Sequence, residues 1–401
     1  MVESVGLHLP AEPKATGRAG RSADDGIAIA AAIAIGALSP SILTMMPVVV
    51  QAFIERGGVT EAQGGLVASI EVFGILLSTS FFAMIQGRVR WCYAAMGGFA
   101  AFALANLASA HVTGFLPLAT MRFLAGIGAG QPIAVSFAAL AITRHPDRWI
   151  GWMVAAVLSY AGLGLWFIPL IYKLAGLPAL MYCFAAMGLV GFIAAFFATG
   201  GRMQHEGGAS AAAPPISLGR RMSALATVFL FFVGYAVIWT YMALVGSHGR
   251  LSDDQVSLAL TVSQIFGVLG AVTVAVGAET IERRLGRRAT LALLIVLGAV
   301  TTAAFGLTQQ FLMFCALNAV FQFTWNAGQP ALLGAIAGAD PSGRLVTAAV
   351  PMQFLGYAVG PALAAILLNA GLSAVILVSA FLIAVSYVPL LPLTAAVDPD
   401  A

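Results

Sequence analysis

Two ionisable side chains, Glu71 and Arg122, stand well inside stretches that are otherwise apolar. On insertion scales a charge at bilayer depth costs about 2.5–3.5 kcal/mol, so such residues pair with one another or serve a pathway. Both stretches enter from the same side, near residues 63 and 114. At about 1.5 Å of rise per residue each charge then sits roughly 12 Å below that face. Matched depth makes an ion pair between them geometrically sound. Three chemistries stay open: a structural pair that neutralises two charges, a Glu71 carboxyl that takes and releases a proton as Arg122 holds and frees it, and an Arg122 that acts as counter-ion to an anionic solute.

A second set of residues forms a polar stripe. Asn318, Gln322, Trp325 and Gln329 follow i, i+4, i+7 and i+11 and share one helix face. That face is costly to present to lipid, so the pattern predicts a cavity wall; hydrogen bonding between helices is the alternative use of such amides. Tyr235 and Trp239 lie four residues apart on one face of another stretch, and Tyr357 lies further on. Aromatic rings with polar tips beside amides suit a small organic solute with an apolar body. Trp and Tyr also gather at membrane interfaces, which leaves that reading open.

Catalytic constellations are missing. No HExxH, no GxSxG and no GxxxxGK[ST] occurs, and His8, His111, His145, His205 and His248 lie in tails, loops or ends of apolar runs. Cys92, Cys183 and Cys315 are isolated, so neither a metal site nor a disulfide is expected, and no cofactor. A membrane-embedded enzyme would need several ionisable groups converging at an interface, and the loops are too short and acid-poor for that.

The elements that must position these residues follow from composition. Of 401 residues, 60% are hydrophobic and 9% charged, with a mean hydropathy of +0.96, whereas a soluble domain is about 45–50% apolar and about 25% charged. A soluble globular protein is excluded. The apolar runs are continuous and helix-length rather than alternating, which selects helices over a barrel. Twelve runs could cross a bilayer: 26–53, 62–86, 91–110, 114–142, 150–172, 177–200, 222–246, 254–278, 289–308, 311–338, 345–369 and 371–394. The net charge of +3 shows no nucleic-acid footprint, and no obligate protein partner is inferred; membrane lipid is the surrounding partner.

Lysine and arginine set the orientation. Lys14, Arg18 and Arg21 lie in the amino-terminal tail, and alternate loops on the same side hold Arg88 and Arg90; Arg144 and Arg148; Arg202, Arg220 and Arg221; Arg283, Arg284, Arg287 and Arg288; and Arg344. The opposite loops hold Arg56, Lys173 and Arg250. Both termini are therefore expected in the cytoplasm of a bacterial-type cell, with residues 1–25 a polar tail rather than a signal peptide and 395–401 a second tail.

Residues 201–221, rich in Gly, Ala and Pro, read as a linker between an amino-terminal half, 26–200, and a carboxy-terminal half, 222–394. A repeat supports the division. Ala129-Gly130-Gln131-Pro132 recurs as Ala327-Gly328-Gln329-Pro330, and Tyr160-Ala161 as Tyr357-Ala358, at nearly one displacement. The arginine-rich loops after the second and eighth runs share that offset. If the repeat holds, Gln131 is the partner of Gln329 and looks inward too, while Arg122, nine residues away, points to the opposite side of its helix.

On these residues the sequence resembles the major facilitator superfamily. Arg122-Phe123-Leu124-Ala125-Gly126-Ile127-Gly128-Ala129-Gly130 is similar to that family's arginine followed by spaced glycines. Glu282-Arg283-Arg284-Leu285-Gly286-Arg287-Arg288 resembles its acid, glycine and paired bases between helices, with the acid one residue further from the glycine. The matching loop, Gly87-Arg88-Val89-Arg90, keeps glycine and bases without the acid. Gly356-Tyr357-Ala358-Val359-Gly360-Pro361 is similar to a glycine–proline pattern that many exporters of the family carry in the fifth span.

The resemblance implies an all-α membrane protein with twelve transmembrane helices in two pseudo-symmetric six-helix bundles. It implies a secondary transporter that alternates between inward-open and outward-open states by rocking one half against the other, with spans one, four, seven and ten lining the cavity. A small organic solute, with proton coupling, is the expected cargo; a drug or metabolite exporter is the competing direction. Residues 87–90 and 282–288 would be cytoplasmic gating loops.

Overall fold

Backbone polar groups in hydrocarbon must be satisfied within their own segment, and the computed structural model meets this with helices alone among the residues it describes: 24–143, 146–198, 217–308, 310–339 and 344–391. The expected tails up to residue 23 and from 392 onward, the linker over 201–216, and Arg144 lie outside the described residues. Among the described residues, nine helical stretches are long and apolar enough to cross a membrane. One of these, Trp149–Phe196, is two crossings, because Gly176 breaks it with φ 78° and ψ 173°. Only a residue without a Cβ adopts that conformation cheaply. A broken first rod and the long helix Phe311–Ala339 complete twelve.

Span one is Gly26–Leu38, Ser41–Thr44 and Met46–Arg56, interrupted at Pro40 and again at Met45. Spans two, three and four are Glu61–Ile85, Trp91–Ser109 and Phe115–Ala141. Spans five and six are the arms of Pro146–Phe196 on either side of Gly176. Span seven is Leu218–Thr240 continued by Met242–His248. Spans eight to twelve are Asp253–Leu285, Arg287–Ala304, Phe311–Ala339, Arg344–Leu368 and Leu372–Val385. Span two starts on a capping box in which Thr60 and Gln63 satisfy each other's backbone N–H.

One expectation is corrected. The segment 282–288 is not a loop: span eight stays helical to Leu285, Gly286 turns the chain at φ 75°, and span nine begins at Arg287. Arg283 and Arg284 close the last turn of span eight, where cations complement the helix dipole. The Glu282 side chain lies outside those described.

Six spans pack within each half. Span four is sandwiched by spans two and three, and span one lies on five; span ten likewise lies between eight and nine, and span seven lies on eleven and twelve. The halves meet where span two packs on eleven and span five on eight. The repeat is also written in the backbone. Span one breaks at Met45 (φ −107°, ψ 16°) and span seven at Tyr241 (φ −113°, ψ 20°), 196 residues later.

The spaced glycines of span four are a packing device. A Cβ on Gly126 would lie 1.9 Å from the Glu71 carbonyl oxygen and one on Gly130 2.7 Å from that of Ile75, both in span two; one on Gly128 would lie 2.4 Å from the Phe102 nitrogen in span three. Gly126→Ala should therefore push span two away and destabilise the protein by about 1–3 kcal/mol. Thermal unfolding in detergent checks this, and an unchanged melting temperature would contradict the close approach.

Candidate functional site

A cavity of about 180 Å³ lies at the seam of the two halves. Span one supplies Pro40 and Thr44, span four Ile133 and Phe137, and span five Met153 through Leu158; across from them stand Trp239, Gln264, Gln322, Trp325, Asn326, Gln329, Gln353 and Tyr357. The broken backbone of span one at Pro40 sits directly in this wall, which is where irregular backbone is tolerated inside a membrane. Trp325 stacks on Tyr235 with centroids 5.2 Å apart and meets Trp239 edge-on at 5.9 Å. Phe321 packs under both, so the aromatic wall is rigid.

Between this cavity and the arginine-poor face the halves are stitched together. The Ser69 hydroxyl donates to the Ala358 carbonyl at 2.5 Å, and the Tyr241 hydroxyl to that of Glu61 at 2.6 Å. The Thr240 hydroxyl donates to the Met46 sulfur at 3.3 Å and that of Thr261 to the Gly162 carbonyl at 3.1 Å. At the rim, Lys173 of span five pairs with Asp253 of span eight. The chain is thus held closed on that side of the cavity.

A separate polar cluster sits inside the first half. Arg122 Nη1 lies 3.8 Å from Glu71 Oε1, and both side chains are shielded from solvent. Arg122 also donates to Asn106 Oδ1 at 3.0 Å and to the Ser109 hydroxyl at 2.5 Å. At 3.8 Å the two ions attract without a hydrogen bond. Glu71 Oε2 and Arg122 Nε have no hydrogen-bond partner among the described residues. Asn106 and Ser109 escape sequence reasoning; the available signal is two polar residues three apart at the end of an apolar span.

Of the stripe and aromatic residues singled out in the sequence, Trp239, Gln322, Trp325, Gln329 and Tyr357 line the cavity. Three others do not. Tyr235 is fully buried behind Trp325, its hydroxyl donating to Thr324 at 3.1 Å. Asn318 is buried with its amide donating to the Phe314 carbonyl at 2.9 Å. Gln131 is half-buried and off the wall, because Ile133 and Phe137 are the cavity-facing residues of span four. Two residues turn a helix by about 200°, which puts Gln131 on the far side. The tetrapeptide repeat therefore does not carry its glutamine to equivalent places. Gln264, Asn326 and Gln353 were missed, Gln264 and Gln353 because neither belongs to a polar stripe along its span.

At the arginine-rich face, Gly87 and Arg88 form an exposed turn, and the Arg90 guanidinium lies 4.9 Å from the centre of the Tyr93 ring. Arg283 is exposed, while Arg287 reaches over Gly338 at the end of span ten, and Arg288 is half-buried.

No curated protein matches the chain. The family model of the Major Facilitator Superfamily matches residues 27–346, a stretch that takes in the cavity's first-half wall, the Glu71–Arg122 cluster and the span-ten stripe. With twelve helices in two related halves around one central cavity, the chain belongs to the Major Facilitator Superfamily and is a membrane transporter of that type.

Proposed function

We propose that the protein is a secondary active transporter of a small organic solute, driven by protons, that works by rocking the half 26–200 against the half 222–394. The observation that carries this reading is the cavity at the seam, walled by both halves and closed on one side by their mutual hydrogen bonds. Opening that side while closing the other would present the same wall to each face in turn. We assign the arginine-rich face, both termini and the 201–221 linker to the cytoplasm of a cytoplasmic-membrane protein, on the positive-inside rule. Trp239, Gln322, Trp325, Gln329 and Tyr357 would contact the solute, with Tyr235 and Asn318 bracing them from behind. The turn at 87–90 and the turn at Gly286 between spans eight and nine would act as the cytoplasmic gating segments.

Proton coupling is assigned to Glu71. A carboxylate held 3.8 Å from a guanidinium, with one oxygen unpartnered, can exchange a proton for that ion pair if the two separate during the cycle. In proteoliposomes, Glu71→Gln should abolish uptake driven by a proton gradient while sparing solute exchange at equal pH. Gradient-driven uptake at the wild-type rate would end the assignment and leave Glu71 a structural partner. Counterflow in vesicles of known sidedness, with candidate solutes and dyes, separates import from export; a chain that moves none of them is better described as a sensor or scaffold.

A further inference from the structure

Among the described residues, the cavity wall holds no Asp, Glu, Lys, Arg or His. The nearest buried charges, Glu71 and Arg122, satisfy each other inside the first half with Asn106 and Ser109. A solute with a net charge would leave water for a wall that offers it no counter-ion, and burying an unpaired charge is heavily penalised. This argues against an anion held by Arg122.

The wall is also lopsided. Its five amides, Gln264, Gln322, Asn326, Gln329 and Gln353, all come from the second half, whereas the first half contributes apolar surface with Thr44 as its one hydroxyl. Asn326 Nδ2 already donates to Gln322 Oε1 at 3.1 Å, and Gln353 is engaged with the Tyr357 hydroxyl. Gln264 differs: it is only 5% exposed, lines the cavity, and its Nε2 has no hydrogen-bond partner among the described residues. A buried donor left unpaired costs about 1–3 kcal/mol, which a solute acceptor would recover. Size narrows the class further. The volume of about 180 Å³ is slightly more than the roughly 150 Å³ that accommodates a benzene ring.

We propose that the cargo is an uncharged, single-ring solute with one hydrogen-bonding edge, carrying carbonyl, amide or hydroxyl groups, that lays this edge on the second-half amides with an acceptor on Gln264 Nε2 and its apolar face on the first half. This rests on the transport reading above and specifies its cargo. Amides donate and accept at once, so they read neutral groups of mixed polarity and discriminate against charge.

The test uses purified full-length protein in detergent and in liposomes, with pairs of single-ring probes that differ in charge: nicotinamide and nicotinate, uracil and orotate, glucose and glucuronate. The neutral member of at least one pair should raise the melting temperature and exchange across liposomes, with at least tenfold preference over its anion. Gln264→Leu should weaken that binding about tenfold with a melting temperature in the absence of probe no lower than that of the wild type. Gln264→Lys should shift preference toward the anionic member, a reversal that a merely structural role would not produce. Binding of the anion equally well or better by the wild type overturns the assignment of charge and leaves transport standing. If no neutral probe binds while another, charged solute is exchanged, the cargo class falls alone; if liposomes exchange no solute of any kind, the transport reading falls with it.

Discussion

Arg122→Ala should destabilise the folded protein by about 3–5 kcal/mol, the range for breaking a buried ion pair from one side. The guanidinium is fully buried between spans two, three and four and is held by Glu71, Asn106 and Ser109. Alanine would leave the Glu71 carboxylate without its counter-ion and the Asn106 oxygen without its donor, each a desolvated group with nothing to replace water. The double variant Glu71→Leu with Arg122→Met should lose far less than the sum of the two single changes, because apolar side chains of similar volume need no partner. Thermal unfolding of the four proteins in one detergent gives the cycle directly. Equal and additive losses would show that the two charges do not stabilise each other, and would remove the basis for assigning them a shared proton.

That cluster also shows how far the sequence could be read. Glu71 and Arg122 stand out because each is the one charge in an apolar run, and their depths match by counting residues. Asn106 and Ser109 do not, since their importance arises only when span three is laid on span four, a contact that Gly128 permits. In the sequence of span eight, charge marks the end of the apolar run at 278. Its charged residues instead extend the helix past the apolar stretch until Gly286 turns it. The break in span one at Met45 stands beside Pro47, but its counterpart at Tyr241 in span seven has no proline in its helix. The stripe on span ten survives because four polar residues on one face resist any other placement, whereas Gln131, a lone amide on a helix whose cavity face is apolar, carries no such constraint.

Gly65→Leu should fold and yet stop transport. Gly65 lies in span two where the halves close on the arginine-poor side; a Cβ there would sit 2.3 Å from the Tyr241 hydroxyl and 3.0 Å from the Pro361 carbonyl oxygen. Tyr241 belongs to the break in span seven and donates to Glu61, so the wedge would strike one of the hydrogen bonds that hold the seam shut. In a state with that seam parted, leucine would meet open space instead. Overpacking costs about 1–3 kcal/mol. Applied to two states of similar energy, it lowers the ratio of closed to open molecules roughly 5- to 150-fold, since each 1.4 kcal/mol is tenfold. Gly65→Ala should be milder, because the nearest atom is the end of a side chain that can swing aside. The check is paired. Flux through liposomes should fall, and a cysteine introduced at Thr44, with Cys92, Cys183 and Cys315 replaced by serine, should become less reactive from the arginine-rich side and more reactive from the other. Wild-type flux with unaltered labelling would mean that the seam does not need to close at Gly65, and the rocking mechanism would lose its clearest structural support.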